Sequence, residues 1–367
     1  MYLKNHPSGL LKQEWVRNLR LYAHVAEEKK ELRYNQLKLF HTENWFKALV
    51  PKRYGGGEWP LTELAAFEEA VGWADGSAGW VFTLCSGAGW FAGFMDEAFT
   101  RQLIENEKFC MAGSGEVGGT AELCDDGSYL VSGLWKYATG APYATYFTAN
   151  CLILKDGIPV TSASGERLIK PFCFLKEEVE MVNSWNTLGL LASASHSFEV
   201  HEKNIPAVRT FEINAVNTPD GALYNYPFLQ FAEITLAATI SGICIHFMEE
   251  CLELWEEKND KSGQKLSQNF MLKNIFKKQM TNLENARENF RITTRMSWDV
   301  CKAGKPLSQN QLSQASYNAQ YLVATCRKVV NELYPCTGLT GANANSSLNQ
   351  IWRDFQTASQ HALFTKL

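Results

Sequence analysis

The sequence predicts an α+β protein in three parts: an N-terminal α-helical domain over residues 1–107, a central β-barrel or sandwich domain over 108–215, and a C-terminal four-helix bundle over 216–367. Three observations carry this expectation. Apolar residues recur at helical spacing as far as about Asn106, change towards a period of two between Phe109 and about Phe211, and return to helical spacing from about Tyr226. Asp-Gly and Gly-Ser turn signals fall in the middle stretch. The chain of 367 residues, 46% of them hydrophobic, is longer than one core usually fills.

The first domain opens with Leu10, Leu11, Trp15, Leu19, Tyr22 and Val25 at three- and four-residue spacing, which predicts a charged amphipathic helix to about Leu39. Pro51-Lys-Arg-Tyr-Gly-Gly-Gly-Glu-Trp-Pro60 has the Gly and Pro density of a loop, and Thr62 with Glu63 predicts a helix start for Leu64 to Trp73. In the middle, Tyr129–Ser132, Ala144–Thr148, Cys151–Leu154 and Ser197–His201 read as short strands. Three long amphipathic patterns follow, Phe228 to Glu257, Ser267 to Cys301 and Ser308 to Leu333, with a shorter one from Ser347 to Leu367. Short polar loops between them predict an antiparallel bundle.

Several function classes are excluded at this level. The 35 basic and 39 acidic residues give a net charge of −4 with no basic stripe, so nucleic acid is not an expected partner. Ten cysteines without one C-x-x-C read as reduced cytosolic thiols, and the N-terminus has no secretory pattern, so a cytoplasmic location is expected. The uncharged run Gly76 to Met95 has the length of a membrane span and contains Gly89-x-x-x-Gly93. Its acidic flanks, its glycines and the absence of a second span favour a buried helix and no membrane partner. Gly113-Ser-Gly115-Glu-Val-Gly118 satisfies G-x-G-x-x-G, but strand and hairpin sequence follows where a phosphate-binding helix would have to start. The seven histidines offer no metal-ligand spacing.

Four stretches resemble the acyl-CoA dehydrogenase superfamily, and the resemblance spans nearly the whole chain. Leu49-Val-Pro51-x-x-Tyr54-Gly55-Gly56, followed by Asp75-Gly-Ser77-Ala-Gly-Trp80, is similar to the family's entry into the helix that lines its substrate cavity. Gly127-Ser-Tyr129-x-Val131-Ser-Gly133-x-Trp135-Lys-Tyr137-Ala-Thr139-Gly140 resembles its hairpin and flavin-contacting strand. Strand alternation sets Trp135, Tyr137 and Thr139 on one face, an arrangement suited to a flavin ring. Leu188-Gly189-Leu190 through Ser193, Ser195 and His196 resembles a loop that touches flavin or substrate, with Ser195 as the residue carried over. Finally, Trp352-Arg353-Asp354 with His361-Ala362, after a turn at Gly338 and Gly341, resembles the family's flavin-dependent monooxygenases. By this resemblance Gly338, Gly341 and Arg353 approach a flavin, and His361 acts as base or hydrogen-bond donor.

The departures direct the functional expectation. The glutamate base of the dehydrogenases falls here on Ala362, which leaves Glu233, on the first bundle helix, as the candidate base or else a helix-surface acid. The monooxygenases' cavity-helix histidine is absent from Leu84 to Gly89, and their second C-terminal histidine falls on Phe364. The resemblance therefore implies a flavin-dependent oxidoreductase using FAD or FMN. The favoured branch is a monooxygenase of an aromatic or heteroaromatic small molecule, fed reduced flavin by a separate reductase, with Thr139 and His361 at its centre. The alternatives are an FAD-dependent acyl-CoA dehydrogenase and a catalytically silent scaffold. A homotetramer assembled through the bundle is implied in each case.

Overall fold

The computed structural model describes residues 3–162, 165–213 and 221–365. Its first layer is helical: α1 (Gln13–Lys29), α2 (Tyr34–Thr42), α3 (Leu61–Ala74), α4 (Gly76–Gly89) and α5 (Glu97–Glu105). The single helix expected from Leu10 to Leu39 is broken at Lys30, whose left-handed φ of 55° ends α1. Asp75 is both the last residue of α3's turn and the N-cap of α4, where its carboxylate accepts the Ala78 N–H at 2.7 Å. The uncharged run from Gly76 is an interior helix, buried along almost its whole length. The bundle contains the second span that sequence reading missed. α6 (Phe228–Glu257) is long and apolar enough to cross a membrane, and 83% of its most apolar window is buried inside the chain. Glu233 interrupts that apolar run in the sequence and hides it.

The middle of the chain forms β1 (Met111–Leu123), β2 (Tyr129–Ala138), β3 (Tyr146–Lys155), β4 (Ile158–Pro159), β5 (Ile169–Leu175), β6 (Glu180–Val182) and β7 (His196–Ile205). They make one sheet in the order β4-β3-β1-β2-β7-β6, with β5 also on β3. β1 and β3 run parallel, and the other pairs are antiparallel. The two runs expected around Ala144 and Cys151 merge into the single strand β3. Tyr129 on β2 and Phe172 on β5 have ring centroids 5.2 Å apart. Three strand spacings separate β2 from β5, about 14 Å in a flat sheet, so this contact requires the sheet to curl round its own core.

The last layer comprises α6, α7 (Phe270–Lys302), α8 (Gln309–Leu333), the short α9 (Leu339–Ala342) and α10 (Ser347–Ala358). α3 and α6 pack at backbone distance, because a Cβ on Gly242 would stand 2.0 Å from the Glu69 carbonyl and one on Gly72 2.6 Å from that of Thr239. Buried Glu69 then ties the first layer to the last. It accepts Arg287 Nε at 2.7 Å, Arg291 at 2.8 Å and Ser241 Oγ at 2.7 Å. Despite burial, those partners hold its pKa down at about 2. The expected 107/108 boundary falls in the turn between α5 and β1, and the 215/216 boundary lies outside the described residues.

Candidate active site

The end of β2 and the loop before β7 bring three hydroxyls together. Buried Thr139 Oγ1 shares a hydrogen bond of 2.8 Å with Ser195 Oγ, which shares another of 2.8 Å with Ser193 Oγ. Cys85 of α4 donates its thiol to the Thr139 carbonyl at 3.4 Å. The loop needs two left-handed residues, Leu190 (φ 53°) and Ala194 (φ 46°), to turn Ser193 and Ser195 towards Thr139. It is fastened to the sheet by His196, whose Nδ1 accepts the Trp185 N–H at 3.1 Å, and by Ser184, whose hydroxyl accepts the Ser197 N–H at 2.9 Å. His196 thus has a structural part, as a strand-edge histidine should.

Trp135, Tyr137 and Thr139 do not share a face, which corrects the alternation expected from sequence. β2 is bulged against β7 between Trp135 and Ala138, and Tyr137 sits at a φ of 64° within that bulge. Trp135 points inward with Tyr129 and Val131, and the extra residue after it turns Tyr137 outward and Ala138 inward. Trp135 is fully buried, stacks on Phe198 at 5.3 Å and donates Nε1 to the Asn150 carbonyl at 2.9 Å. Its indole also accounts for one glycine of the G-x-G-x-x-G run, since a Cβ at Gly118 would stand 2.7 Å from Trp135 Cδ1, while one at Gly113 would stand 2.2 Å from Thr148 Oγ1 on β3. Tyr137 is 60% exposed and meets Trp185 edge to face at 6.3 Å. Half-buried Trp185 in turn donates Nε1 to the Leu190 carbonyl at 2.9 Å, in the loop that carries Ser193 and Ser195, and sequence reading overlooked it. A tryptophan in the polar run Asn183-Ser-Trp-Asn186 was the available signal.

Arg353 is spent inside the chain, which corrects its assignment to the cofactor. A guanidinium has five N–H donors. Nε donates to Asn349 at 2.7 Å, Nη1 to Glu27 and to the Leu188 carbonyl, and Nη2 to Glu27 at 3.0 Å and to the Ala344 carbonyl. Its neighbour Asp354 accepts the Leu190 N–H, and Thr357 accepts that of Gly189 at 2.8 Å. Gly189 is dictated by this contact, because a Cβ there would lie 2.1 Å from the Arg353 carbonyl carbon. The Arg-Asp pair therefore clamps the loop carrying Ser193 and Ser195 onto α10. Burial and the neighbouring Asp75 push the Asp354 carboxyl well above its ordinary range, and burial pushes Asp75 to about 6.

α10 ends just before His361, whose ring lies 6.0 Å from that of Trp80 on α4. Its Nδ1 accepts the Leu363 N–H at 3.3 Å, so the neutral ring carries its proton on Nε2. Burial lowers its pKa from the ordinary imidazole value. α4 thus receives His361 at Trp80 and the hydroxyl cluster at Cys85, less than two helical turns apart. Glu233 is not part of this centre. It is a buried residue rather than a helix-surface acid, and it accepts Gln320 Nε2 at 3.0 Å across the α6–α8 seam. Phe231, two residues before it and on the opposite side of α6, is the residue that stacks on Trp90 near α4.

The glycine turn before α10 divides by role. Gly338 has φ 59° and ψ −152°, a region reserved for glycine, and Leu339 beside it is 89% exposed. Gly341 is internal packing, with its Cβ position 2.0 Å from Thr337 Oγ1 and its carbonyl accepting Asn349 Nδ2 at 2.6 Å. Two open clefts lie elsewhere, one of about 300 Å³ beside Thr62 and Arg291 and one of about 380 Å³ beside Arg20 and Trp73. Neither touches Thr139, Ser195 or His361.

Residues 234–366 match the family described as acyl-CoA dehydrogenase, C-terminal domain. The indole-3-acetate monooxygenase of Acinetobacter baumannii is 25% identical over 86% of this chain and 80% of its own length. The oxygenase subunit HsaA of a flavin-dependent monooxygenase from Mycobacterium tuberculosis is 21% identical over 93% of this chain and 87% of its own. Among solved structures, XiaF from Streptomyces sp. in complex with FADH2 and glycerol superimposes with a TM-score of 0.88 at 15% identity, covering 98% of this chain and 92% of that one. The family match lies within the last layer, whereas the relatives and the solved structure extend over most of the chain.

Proposed function

We propose, from the premise that the chain belongs to the acyl-CoA dehydrogenase superfamily, that it is the oxygenase component of a two-component flavin-dependent monooxygenase acting on a small aromatic or heteroaromatic molecule. The observation that carries this reading is the pairing around α4 of a buried hydroxyl cluster with a histidine, while the candidate carboxylate Glu233 lies in another seam. α-Proton abstraction from an acyl thioester needs a carboxylate at the reacting carbon, and Glu233 is engaged instead by Gln320 at the α6–α8 seam. This disfavours the dehydrogenase reading.

The residues present fit a flavin. The exposed Tyr137 ring and the half-buried Trp185 ring offer apolar surface, and Thr139 and Ser195 offer hydroxyls that donate or accept. Reduced flavin, FAD or FMN, supplies the electrons that activate dioxygen for insertion into the aromatic ring. The protein's own contribution is positional and acid–base. Thr139 is held by Ser195 so that its hydroxyl has one fixed partner and two of its three hydrogen-bonding capacities left. His361, neutral and protonated on Nε2, can donate a hydrogen bond from that nitrogen and take a proton back as the substrate's own proton leaves. Trp80 and the surrounding helices keep that exchange out of bulk water.

Reduced flavin then comes from a separate reductase, as the description of the relatives as oxygenase subunits or components supports. A homotetramer through the bundle accords with the exposed Phe270, Met271 and Leu339, and a cytoplasmic location accords with ten unpaired cysteines. Incubation with enzymatically reduced FMN or FAD, isotopically labelled dioxygen and a panel of phenols and indoles tests the activity. One labelled oxygen atom in the product is expected. Flavin reoxidation at the free-flavin rate with no labelled product contradicts the reading.

A further inference from the structure

The cleft beside Arg20 and Trp73 stands apart from the centre at Thr139 and takes no part in the proposed reaction. Its volume of about 380 Å³ lies within the range of small-molecule sites. Four helices contribute to it: α1 through Arg20, α3 through Trp73, α6 through Glu249 and Glu253, and α7 through Phe276 and Met280. The buried side chains of Ile245, Met248, Phe276 and Met280 make much of its lining apolar. Convergent polar groups over an apolar lining are the usual composition of a ligand site.

The charged side chains of the cleft are not equally occupied. Both oxygens of Glu249 are engaged, one at 2.6 Å from His6 Nε2 and the other accepting Trp73 Nε1 at 2.6 Å. Arg20 lies over the Trp73 ring, 4.5 Å from its centroid, and makes one long hydrogen bond, from Nη2 to the Trp73 carbonyl at 3.5 Å. Its Nε is buried and has no hydrogen-bond partner among the described residues. An unmet buried donor of a charged group is costly, and the planar guanidinium fork is shaped for a carboxylate. Glu253 follows Glu249 by four residues, which sets it on the same side of α6. Burial and the neighbouring Glu250 push its carboxyl up, while Arg20 draws it down. Arg20 and Glu253 therefore feel each other across the cleft, yet neither joins an ion pair among the described residues. Opposite charges that line one cleft without closing on each other fit a ligand that carries both.

We propose that this cleft binds a free α-amino acid with an apolar side chain. Its carboxylate meets Arg20, its ammonium meets Glu253, and its side chain lies on Ile245, Met248, Phe276 and Met280. The site needs no flavin and stands independently of the monooxygenase reading.

Calorimetry of the intact protein with L-leucine, 4-methylpentanoate and 3-methylbutylamine tests this, because each analogue keeps the side chain of leucine and only one of its charges. Leucine is expected to bind more tightly than either analogue and more tightly than glycine. Arg20→Gln should weaken leucine about tenfold, the worth of one charged hydrogen bond, and leave the amine analogue unchanged. Glu253→Gln should weaken leucine about fivefold, as an exposed ion pair allows, and leave 4-methylpentanoate bound at least as tightly as by the parent. Glu253 is exposed, so its variant decides should Arg20→Gln misfold. No leucine binding by the parent, an analogue that binds as tightly as leucine, or variants that weaken every probe alike overturns the proposal.

Discussion

At the scale of single residues, the roles proposed for Thr139 and His361 have different signatures. Thr139→Val keeps the shape and removes one buried hydroxyl from the pair with Ser195. The variant should lose about 1 kcal/mol of stability but most of its labelled product, with flavin reoxidation continuing; equal losses of both would make Thr139 merely structural. His361→Gln should cost about a hundredfold in product formation, within the range of general acid–base catalysis. Its linkage has a definite sign. Burial lowers the folded-state pKa, so the folded protein binds fewer protons than the unfolded chain below pH 6.5. The stabilisation is complete above that pH and is lost as pH falls through the folded value. Melting curves of His361→Gln should therefore be flatter than the parent's on the acid side, and parallel curves would refute the assignment. Thr139 and Ser195 were legible because the strand-end hydroxyl and the loop hydroxyl each stand in a motif. Trp135 and Tyr137 were misread because a bulge, a departure from strict alternation, leaves no mark in the period of a sequence.

At the scale of elements, the clamp of α10 on α1 and on the Ser193–Ser195 loop is the joint that sets the site. Arg353→Ala strips a buried Glu27 of its bidentate partner and should destabilise by about 3 kcal/mol. A flavin-binding role would instead weaken flavin affinity with little change in melting temperature, so measuring both separates the two. Asp75 gives the joint a pH dependence. Its folded pKa, about 6, lies above the ordinary carboxylate value, so its contribution is fully present at low pH and is lost as pH rises through about 6. Asp75→Asn keeps the N-cap of α4 and removes the titration. The variant should gain stability relative to the parent above pH 6 and not below pH 4. A constant difference across that range would contradict the assignment. The Trp-Arg-Asp motif was visible in the sequence, but its task was not. A guanidinium looks the same in a one-dimensional pattern whether its five donors face a phosphate or Glu27, Asn349 and three carbonyls.

At the scale of the whole molecule, the three-part order was legible because each part announces itself by a different period. α6, α7 and α8 begin and end within a few residues of their amphipathic patterns. The joins were less visible. α1 stops at Lys30 through a left-handed backbone, and α3 reaches α6 through Gly72 and Gly242, contacts that depend on residues distant in sequence. Glu69, flanked by Arg287 and Arg291, locks the same joint, and its depressed pKa places that stabilisation above pH 4.5, to be lost as pH falls towards 2. Cavities and flavin edges arise only when these layers are assembled, which is why the scaffold could be read from sequence more completely than the chemistry. The central claim is that this scaffold takes flavin in the reduced form. Anaerobic titration of the purified protein with oxidised and reduced FAD and FMN tests it most directly. The account predicts a colourless protein that binds a reduced flavin more tightly than its oxidised counterpart. A yellow protein isolated with FAD already bound, and bleached by an acyl-CoA, would contradict it.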